Sequence, residues 1–249
     1  MVIFLEESIF RGITTGSTVI ELDSEIMHYL IHVLRIGKGE KIIINSKENR
    51  VNRYEFFISY FDRVLDKFRV RLNIEEKKYI QKNFPIIDIF VVPLKSRYFE
   101  DSIEYISQLP INSIFLMRSK FIAVKFEEVY RKIERLRKII YWNSIYVRKH
   151  FITEIQYIDK KLENIVEELL KEYEKVIVFD PRAESEFGNS VGNPQKIAML
   201  VGPEGGWSKE ELEIFKPKFQ IYKFKNIDIA VKAEIAPVIG VSQLLGFIN

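Results

Sequence analysis

From residue 86 onward, the sequence alternates apolar runs of strand length with segments of helical spacing. The runs occupy residues 86–92, 113–117, 176–179, 197–201 and 219–224. Helical spacing occupies residues 98–109, 126–144 and 160–173, a segment that begins at Ser208, and residues 236–247. Strands that are joined by helices form parallel sheets whose two faces the helices cover. The sequence therefore predicts an α/β fold with a mostly parallel sheet.

A glycine-rich loop follows the apolar run at residues 197–201. The loop is residues 202–206 (GPEGG), and Ser208 with Glu211 three residues later has the spacing of a capping box. A strand, a glycine loop and a capped helix leave backbone N–H groups where a ligand can approach closely. The loop lacks the glycine spacing of the dinucleotide and P-loop motifs. It is also compatible with an ordinary strand-to-helix turn.

The first part of the chain, to about Glu75, has a different pattern. Its strand-like runs occupy residues 2–5, 17–22, 41–45, 55–60 and 67–74. One helix interrupts them, and either Asp23 or Ser24 can cap it. Closely spaced strands with one helix predict a small β-barrel. Residues 77–85 are polar and end at a proline, which predicts a linker. The expected domains are therefore residues 1–75 and 76–249.

Composition limits the kinds of site that the chain can carry. Its 249 residues include no cysteine and only three histidines, which excludes disulfides, thiolate metal sites and cysteine nucleophiles. No apolar run approaches the roughly 20 residues that a membrane span needs, and the first residues lack the build of a signal peptide. We therefore expect a cytoplasmic protein without a metal site and without a membrane partner.

Three motifs resemble those of the ribosomal RNA small subunit methyltransferase E family. Residues 197–208 (IAMLVGPEGGWS), with two glutamates soon after, resemble the family signature. Residues 231–237 (VKAEIAP) resemble its later Leu-Arg-x-Glu-Thr-Ala motif. His28, followed by residues 33–35 (VLR) and Gly39, resembles its N-terminal motif. The three motifs stand in the family's order and span most of the chain.

The resemblance implies a fold and a reaction. The family belongs to the SPOUT methyltransferases, so residues 76–249 are expected to form a trefoil-knotted domain and residues 1–75 a PUA-like β-barrel that binds RNA. Members transfer a methyl group from S-adenosyl-L-methionine to N3 of a uridine in small-subunit (16S) ribosomal RNA. They act as homodimers, and residues 236–247 offer apolar side chains that a second copy can bury.

The chain departs from the family's motifs at several positions. Two arginines of the family correspond to Ile229 and Lys232, and its threonine corresponds to Ile235. The middle motif, Glu-Gln-Ser followed by Arg, has its best match in residues 142–144 (WNS). These differences leave two other functions open: an RNA-binding module of the same fold without catalysis, and a knotted methyltransferase that acts on a different RNA.

Loops at the carboxyl ends of parallel strands bind ligands, and in the resembling family such loops enclose the cofactor through backbone groups and apolar walls. Four of the apolar candidates, at positions 200, 227, 230 and 231, could equally be core residues. The resemblance assigns cofactor contacts to Phe179, Pro181, Leu200, Val201, Gly202, Pro203, Gly205, Gly206, Phe224, Asn226, Ile227, Ala230 and Val231.

Methyl transfer from a sulfonium depends mainly on the orientation of donor and acceptor. Uridine N3 carries a proton, so a base or a stabilised imide anion should help the reaction. Glu204 and Glu234 are the carboxylates inside the motifs, and Lys232 is the nearby cation. These three residues are the catalytic candidates, although each glutamate could instead accept hydrogen bonds at a loop or a helix end.

RNA binding must depend on clustered charge, because the formal net charge is only +3. The helix at residues 126–144 has a basic face opposite an apolar stripe, and such a face is also common on solvated helices. The RNA-binding candidates are His28, Arg35, Lys95, Arg97, Arg131, Arg135, Lys138, Arg148 and Lys149.

Overall fold

The computed structural model describes residues 1–188, 192, 194–227, 229 and 231–246, without the side chains of residues 96, 97 and 126. The chain divides into two compact units. The first contains Met1–Asn83 and Ser144–Ile152, and the second contains Phe84–Asn143 and Thr153–Asn249.

A five-stranded sheet forms the first unit. Its order is β1 (Val2–Leu5), β3 (Lys41–Ser46), β4 (Arg53–Val64), β5 (Arg69–Gln81) and β2 (Gly16–Glu21). β1 pairs parallel with β3, and the other pairs are antiparallel. β1 and β2 stand at the two edges of this order, so a closed barrel remains a prediction.

Two short helices accompany this sheet, α1 (Glu7–Arg11) and α2 (Ser24–His28). The Asp23 side chain caps α2, because it accepts a hydrogen bond from the Ile26 backbone N–H at 2.8 Å. α2 continues directly into a π-helix, Tyr29–Val33. The cap and α2 therefore agree with the sequence pattern, whereas α1 was not predicted.

The expected linker at residues 77–85 is wrong over its first part. β5 continues to Gln81, which pairs with Arg53 of β4. Residues 77–81 (KKYIQ) place two adjacent lysines before tyrosine and isoleucine, in a strand whose residues are alternately exposed and half-buried. Lys77 Nζ lies 2.6 Å from Glu55 Oε2 on β4. Polar composition alone therefore did not distinguish a solvated strand from a linker.

Residues 144–152 complete the first unit from a distant part of the sequence. The His150 ring stacks on Tyr54 at 4.8 Å and lies 4.4 Å from Phe56. His150 Nδ1 is 2.9 Å from Asn45 Oδ1, and Asn49 Nδ2 donates to the His150 carbonyl at 2.8 Å. The core of this unit thus includes a segment that lies more than 60 residues beyond β5.

The second unit contains a six-stranded parallel sheet, which confirms the predicted α/β fold. Its order is β11 (Gln220–Tyr222), β9 (Lys175–Phe179), β10 (Lys196–Val201), β6 (Ile86–Val91), β7 (Ser113–Met117) and β8 (Glu154–Ile158). The helices of the chain's second part are α3 (Ser96–Ser107), α4 (Phe126–Tyr146), α5 (Leu162–Glu172), α6 (Lys209–Phe215) and α7 (Ala236–Leu244).

β10 is one of the two central strands of this sheet. Met199 lies opposite Ile89 of β6 and Ile177 of β9, and none of these three side chains is exposed. α7 packs closely on the sheet, because a Cβ at Gly240 would lie 2.9 Å from Met199 Sδ and 3.0 Å from Phe179. Burial of both faces explains why residues 197–201 form a continuous apolar run.

No helix in the described part of the chain combines the length and the apolar character that crossing a membrane requires.

Candidate functional site

A cavity of about 520 Å³ opens at the carboxyl ends of β9, β10 and β11. Three loops enclose it, because parallel strands end at the same edge of a sheet. Its walls combine aromatic and aliphatic side chains with loop backbone. The lining residues are Phe179, Asp180, Pro181, Val201, Gly202, Pro203, Glu204, Gly206, Trp207, Tyr222, Lys223, Phe224, Ile227, Ile229, Val231, Ala233 and Ala236.

Trp207 forms part of the wall behind the glycine loop. It is only 1% exposed, and its indole Nε1 donates to the Phe179 carbonyl at 3.0 Å, which joins the ends of β9 and β10. The indole lies so close to the loop that a Cβ at Gly202 would be 3.1 Å from the ring. A side chain at position 202 would therefore press on the indole and force it or the loop to shift.

Two further glycines shape the loop differently. Gly206 has a φ of +70°, and its N–H donates to the Pro203 carbonyl at 2.9 Å, closing a tight turn at the cavity. Gly205 does not line the cavity, and a Cβ there would instead lie 3.4 Å from Phe121. The two neighbouring glycines thus face different surroundings.

Arg182 forms an ion pair within the loop that follows β9 and a hydrogen bond to the loop that follows β10. Arg182 donates to both carboxylate oxygens of the buried Asp180, from Nε at 2.9 Å and from Nη2 at 2.7 Å. The same Nη2 donates to the Trp207 carbonyl at 2.6 Å. The hydrogen bond to Asp180 raises the pKa of Arg182, so the guanidinium stays charged. The planar fork of an arginine suits this three-way contact.

The start of α6 shows the predicted capping box. Ser208 Oγ accepts from the Glu211 N–H, and Glu211 Oε2 accepts from the Ser208 N–H at 2.7 Å. Glu211 Oε1 also accepts from the Lys120 N–H at 2.9 Å. The glycine loop is thereby fixed to the loop that follows β7.

α7 holds the loop that follows β11, which is the third loop at the cavity. Gln243 is buried, and its side chain bonds both the N–H of Lys225 at 3.1 Å and the carbonyl of Lys225 at 2.8 Å. The next residue, Asn226, has a φ of +56° and is exposed. The amide of Gln243 therefore fixes the turn that carries Phe224 and Ile227 to the cavity.

Most of the cofactor candidates come together at this cavity. Leu200 lies in the core instead, Gly205 lies against Phe121, and Asn226 is on the exposed turn. Ala230 lies outside the described residues. The candidates that line the cavity are Phe179, Pro181, Val201, Gly202, Pro203, Gly206, Phe224, Ile227 and Val231.

The three catalytic candidates occupy two kinds of position. Glu204 lines the cavity and is exposed. Lys232 and Glu234 form an ion pair with a distance of 3.7 Å from Nζ to Oε1. The Lys232 side chain is 74% exposed and that of Glu234 is 15% exposed, and neither is a lining residue. Only Glu204 therefore presents a carboxylate from this group directly to the cavity.

The basic candidates of the second unit lie on helix surfaces. Arg131, Arg135 and Lys138 are exposed on α4, and Arg135 Nη2 lies 2.9 Å from Glu100. Lys95 is exposed at the start of α3. The side chain of Arg97 lies outside the described residues.

The basic candidates of the first unit differ in exposure. His28 is exposed beside His32, with ring centroids 5.1 Å apart, and Arg35 and Arg148 are exposed residues with positive φ angles. Lys149 is only 9% exposed, and burial lowers its pKa to about 7. A buried lysine whose pKa is about 7 is poorly suited to neutralise a phosphate, because it is only partly charged near pH 7.

Three residues at this site were not among the candidates that the sequence suggested. Asp180 and Trp207 line the cavity, and Arg182 joins them. Asp180 directly follows an apolar strand and Trp207 follows the glycine pair, so position at a strand end was the available signal. Nothing local in the sequence indicated that Arg182 would reach Trp207, 25 residues away. Among the described residues, no cluster of side chains could hold a metal ion.

Comparison with known proteins places this geometry in a family. A family model described as an RNA methyltransferase domain matches residues 81–241. The ribosomal RNA small subunit methyltransferase E 2 of Borreliella burgdorferi is 24% identical over 237 residues, covering 85% of each chain.

Solved structures show the same fold over almost the whole chain. A Legionella pneumophila protein, solved with bound S-adenosylmethionine, has a TM-score of 0.76 at 20% identity, over 99% of this chain and 97% of that one. The ribosomal RNA small subunit methyltransferase E of Neisseria gonorrhoeae, also bound to S-adenosylmethionine, has a TM-score of 0.76 at 17% identity, over 98% and 97%. With the family model matching most of its length, the chain belongs to the RNA methyltransferase family.

Proposed function

We propose that this chain transfers a methyl group from S-adenosyl-L-methionine to N3 of a uridine in small-subunit (16S) ribosomal RNA. The observation that carries the proposal is the cavity at the ends of β9, β10 and β11. Its volume of about 520 Å³ lies within the range of small-molecule sites. The Borreliella relative is named for ribosomal RNA methylation, and two structures of the same fold contain the cofactor.

The residues present fit this cofactor. Phe179, Phe224 and Val231 offer apolar walls for an adenine ring, while the backbone at Gly202 and Gly206 leaves room for polar groups to approach. A side chain at Gly206 would project where the loop turns at the cavity, and its φ of +70° disfavours one. We infer that the three loops hold the cofactor mainly by shape and backbone contacts.

The bound cofactor supplies an electrophilic methyl group on a sulfonium. The chain's contribution is to hold that group in line with the uridine and to exclude water, since orientation dominates such a transfer. Two carboxylates line the cavity, but Arg182 occupies both oxygens of Asp180. Glu204 has no hydrogen-bond partner among the described residues, so its carboxylate is the group that can accept the N3 proton.

Our proposal also includes the knot, the homodimer, the PUA-like domain and the cytoplasmic location that the family resemblance implies. We infer that the second unit is knotted and that a second copy of the chain packs on α7, whose described residues are largely apolar. The first unit is proposed to bind RNA as a PUA-like domain, whose sheet extends past the expected boundary at residues 75 and 76 as far as Gln81. The same proposal includes action in the cytoplasm, where ribosomal RNA is modified.

A second candidate function is an RNA-binding module without catalysis. Ile229 stands where the family has an arginine, and its side chain is 79% exposed at the cavity. Lys232 replaces the other arginine and already pairs with Glu234. Such a module could retain cofactor binding while lacking the cations that assist the reaction.

Mass spectrometry of small-subunit ribosomal RNA tests the two functions. A strain that lacks the gene should lose one N3-methyluridine, and the wild-type gene should restore it. Glu204→Gln should restore little methylation while the purified variant binds S-adenosylmethionine normally in calorimetry. Full cofactor binding without any change in the RNA of the deletion strain would favour the second candidate.

A further inference from the structure

A second cavity lies at the same edge of the parallel sheet, beyond β6. It has a volume of about 330 Å³ and is enclosed by the loops that follow β7 and β8. Four cations and two carboxylates line it, together with a serine and a leucine. The lining residues are Arg118, Ser119, Lys120, Asp159, Lys160, Lys161, Leu162 and Glu211.

The cations are held in surface ion pairs that a stronger anion could replace. Arg118 lies 2.7 Å from Asp159, Lys120 lies 2.7 Å from Glu210, and Lys160 lies 2.6 Å from Glu168. All three cations are about half exposed, and exposed ion pairs of this kind contribute little free energy. Lys161 has no ion-pair partner among the described residues. The charge of Lys161 is therefore available to an anion, and the three paired cations can change partners at little cost in free energy.

Two polar features besides the cations favour an anion here. The hydroxyl of Ser119 is enclosed and has no hydrogen-bond partner among the described residues, which is rare for a buried donor. α5 begins at the cavity with Leu162, and its preceding residue, Lys161, gives no side-chain cap. The first N–H groups of a helix attract anions, and the helix dipole adds to that attraction.

An exposed aromatic residue stands between this cavity and the cofactor loop. Phe121 follows Lys120, is 48% exposed, and lies against Gly205. The Lys120 N–H donates to Glu211, the residue that also caps α6. Phe121 and the cationic cavity are thus fixed on one side of the glycine loop, while the apolar cavity lies on the other side.

We propose that the cavity between the β7 and β8 loops binds a phosphate of the RNA, and that a neighbouring unpaired base stacks on Phe121. The inference rests on the proposed function and adds where the substrate strand lies. Lys161, Lys120 and Ser119 contact the phosphate, while Phe121 contacts the base beside the target uridine. Single-stranded RNA is recognised by this combination of cations and aromatic platforms.

Charge reversal at the cavity tests the phosphate contact. Lys161→Glu is compared with Lys171→Glu, which makes the same change ten residues later, at the exposed C-terminal end of α5. Binding to unmethylated small-subunit ribosomal RNA from a deletion strain is measured by fluorescence between about 0.05 and 0.2 M salt. Lys161→Glu should weaken binding about tenfold and reduce the salt slope by about one, and Lys171→Glu should change neither.

Removal of the ring tests the stacking contact. Phe121→Ala should weaken RNA binding about tenfold with an unchanged salt slope, because stacking involves no released counterion. Tyr105→Ala, which removes a similarly exposed ring from α3, should bind RNA as the wild type does. All four variants should bind S-adenosylmethionine like the wild type in calorimetry.

The outcomes separate this inference from the proposed function. Equal RNA binding by Lys161→Glu and Lys171→Glu, or by Phe121→Ala and Tyr105→Ala, would overturn the subsite even if the wild type methylates the RNA. A wild-type protein that neither binds S-adenosylmethionine nor methylates the RNA would overturn the proposed function, whatever the variants do. Loss of RNA affinity in Lys161→Glu and Phe121→Ala, but not in their two controls, would support the subsite.

Discussion

Two cavities at one edge of the parallel sheet differ in their chemistry. The larger, at β9, β10 and β11, has walls that are mainly aromatic and aliphatic, including Phe179, Phe224 and Val231. The smaller, at β7 and β8, has walls that are mainly charged. Both are built from loops at strand carboxyl ends, so the backbone architecture alone does not decide what each one binds.

The first residues after each strand account for the difference. β9 is followed by Asp180 and Pro181, and β10 is followed by Gly202 and Pro203. β7 is followed instead by residues 118–120 (RSK), and β8 by residues 159–161 (DKK). Two or three residues per loop therefore divide the sheet edge into an apolar part and a cationic part. Substitutions in the apolar part should therefore change cofactor binding without changing RNA binding.

Gly202→Ala should have the largest effect. Its Cβ would lie 3.1 Å from the Trp207 ring, which is buried and hydrogen-bonded and so has little room to move. We expect cofactor affinity to fall at least a hundredfold and the free energy of unfolding to fall by about 1–3 kcal/mol. Calorimetry and denaturant unfolding measure the two effects.

Gly188→Ala is the matched control for that change. A Cβ at Gly188 meets no atom within 4 Å, so both quantities should stay close to the wild-type values. RNA affinity should be unchanged in both variants. If Gly202→Ala bound the cofactor normally, the loop could not be the cofactor site.

Trp207→Phe should have the next largest effect. The change leaves the Phe179 carbonyl without its donor at 3.0 Å, which should cost about 1–3 kcal/mol of stability. We expect cofactor affinity to fall about tenfold, because the ends of β9 and β10 lose their link. Phe215→Leu serves as the control, since Phe215 packs against Trp207 in the core but does not line the cavity. It should lose stability and keep its cofactor affinity; parallel losses in both variants would indicate a purely structural role for Trp207.

Arg182→Lys should have a moderate effect on the cofactor alone. A lysine cannot bond both oxygens of Asp180 and the Trp207 carbonyl at once, so the two loops should loosen. We expect cofactor affinity to fall about threefold to tenfold, with a change in the free energy of unfolding below about 1 kcal/mol. Arg137→Lys, at an exposed ion pair with Glu134 on α4, should leave the affinity unchanged. Equal cofactor affinities of Arg182→Lys and Arg137→Lys would show that the contacts of Arg182 do not contribute to cofactor binding.

Added salt should weaken RNA binding much more than it weakens cofactor binding, and its effect on the cofactor is the smallest change that we expect. Between about 0.05 and 0.2 M salt, we expect the dissociation constant of the cofactor to change less than about twofold. RNA affinity should fall more than about tenfold over the same range, because bound phosphates release counterions. A cofactor affinity that fell as steeply as RNA affinity would show that charge, rather than shape, holds the cofactor.

Sequence patterns predicted those features that depend on neighbouring residues. The strand at residues 197–201, the glycine loop and the capping box at Ser208 all involve groups a few residues apart. β7 was predicted at its observed bounds, because its apolar run is continuous. β8 was missed, since it is short and carries the exposed Gln156 in its middle.

The sequence did not predict features that depend on contacts between residues far apart in the chain. The cationic cavity requires Arg118 to lie beside Asp159, 41 positions later, and such a distance has no local signal. Leu200 was expected at the cofactor site, but alternate residues of a strand face opposite sides, and its side chain packs in the core. Whether Glu204, Lys232 and Glu234 act in catalysis stays a prediction.

The segment Ser144–Ile152 affects how the two units can be exchanged by recombination and when the first unit can finish folding during synthesis. The chain passes between the two units three times, so neither unit corresponds to one uninterrupted stretch of gene. A fragment that encodes residues 1–83 would lack His150, which packs against Tyr54 and Phe56. Exchange of either unit by recombination at a single boundary would therefore leave its partner incomplete. During synthesis, the N-terminal unit must also wait for residue 152 before its packing is complete.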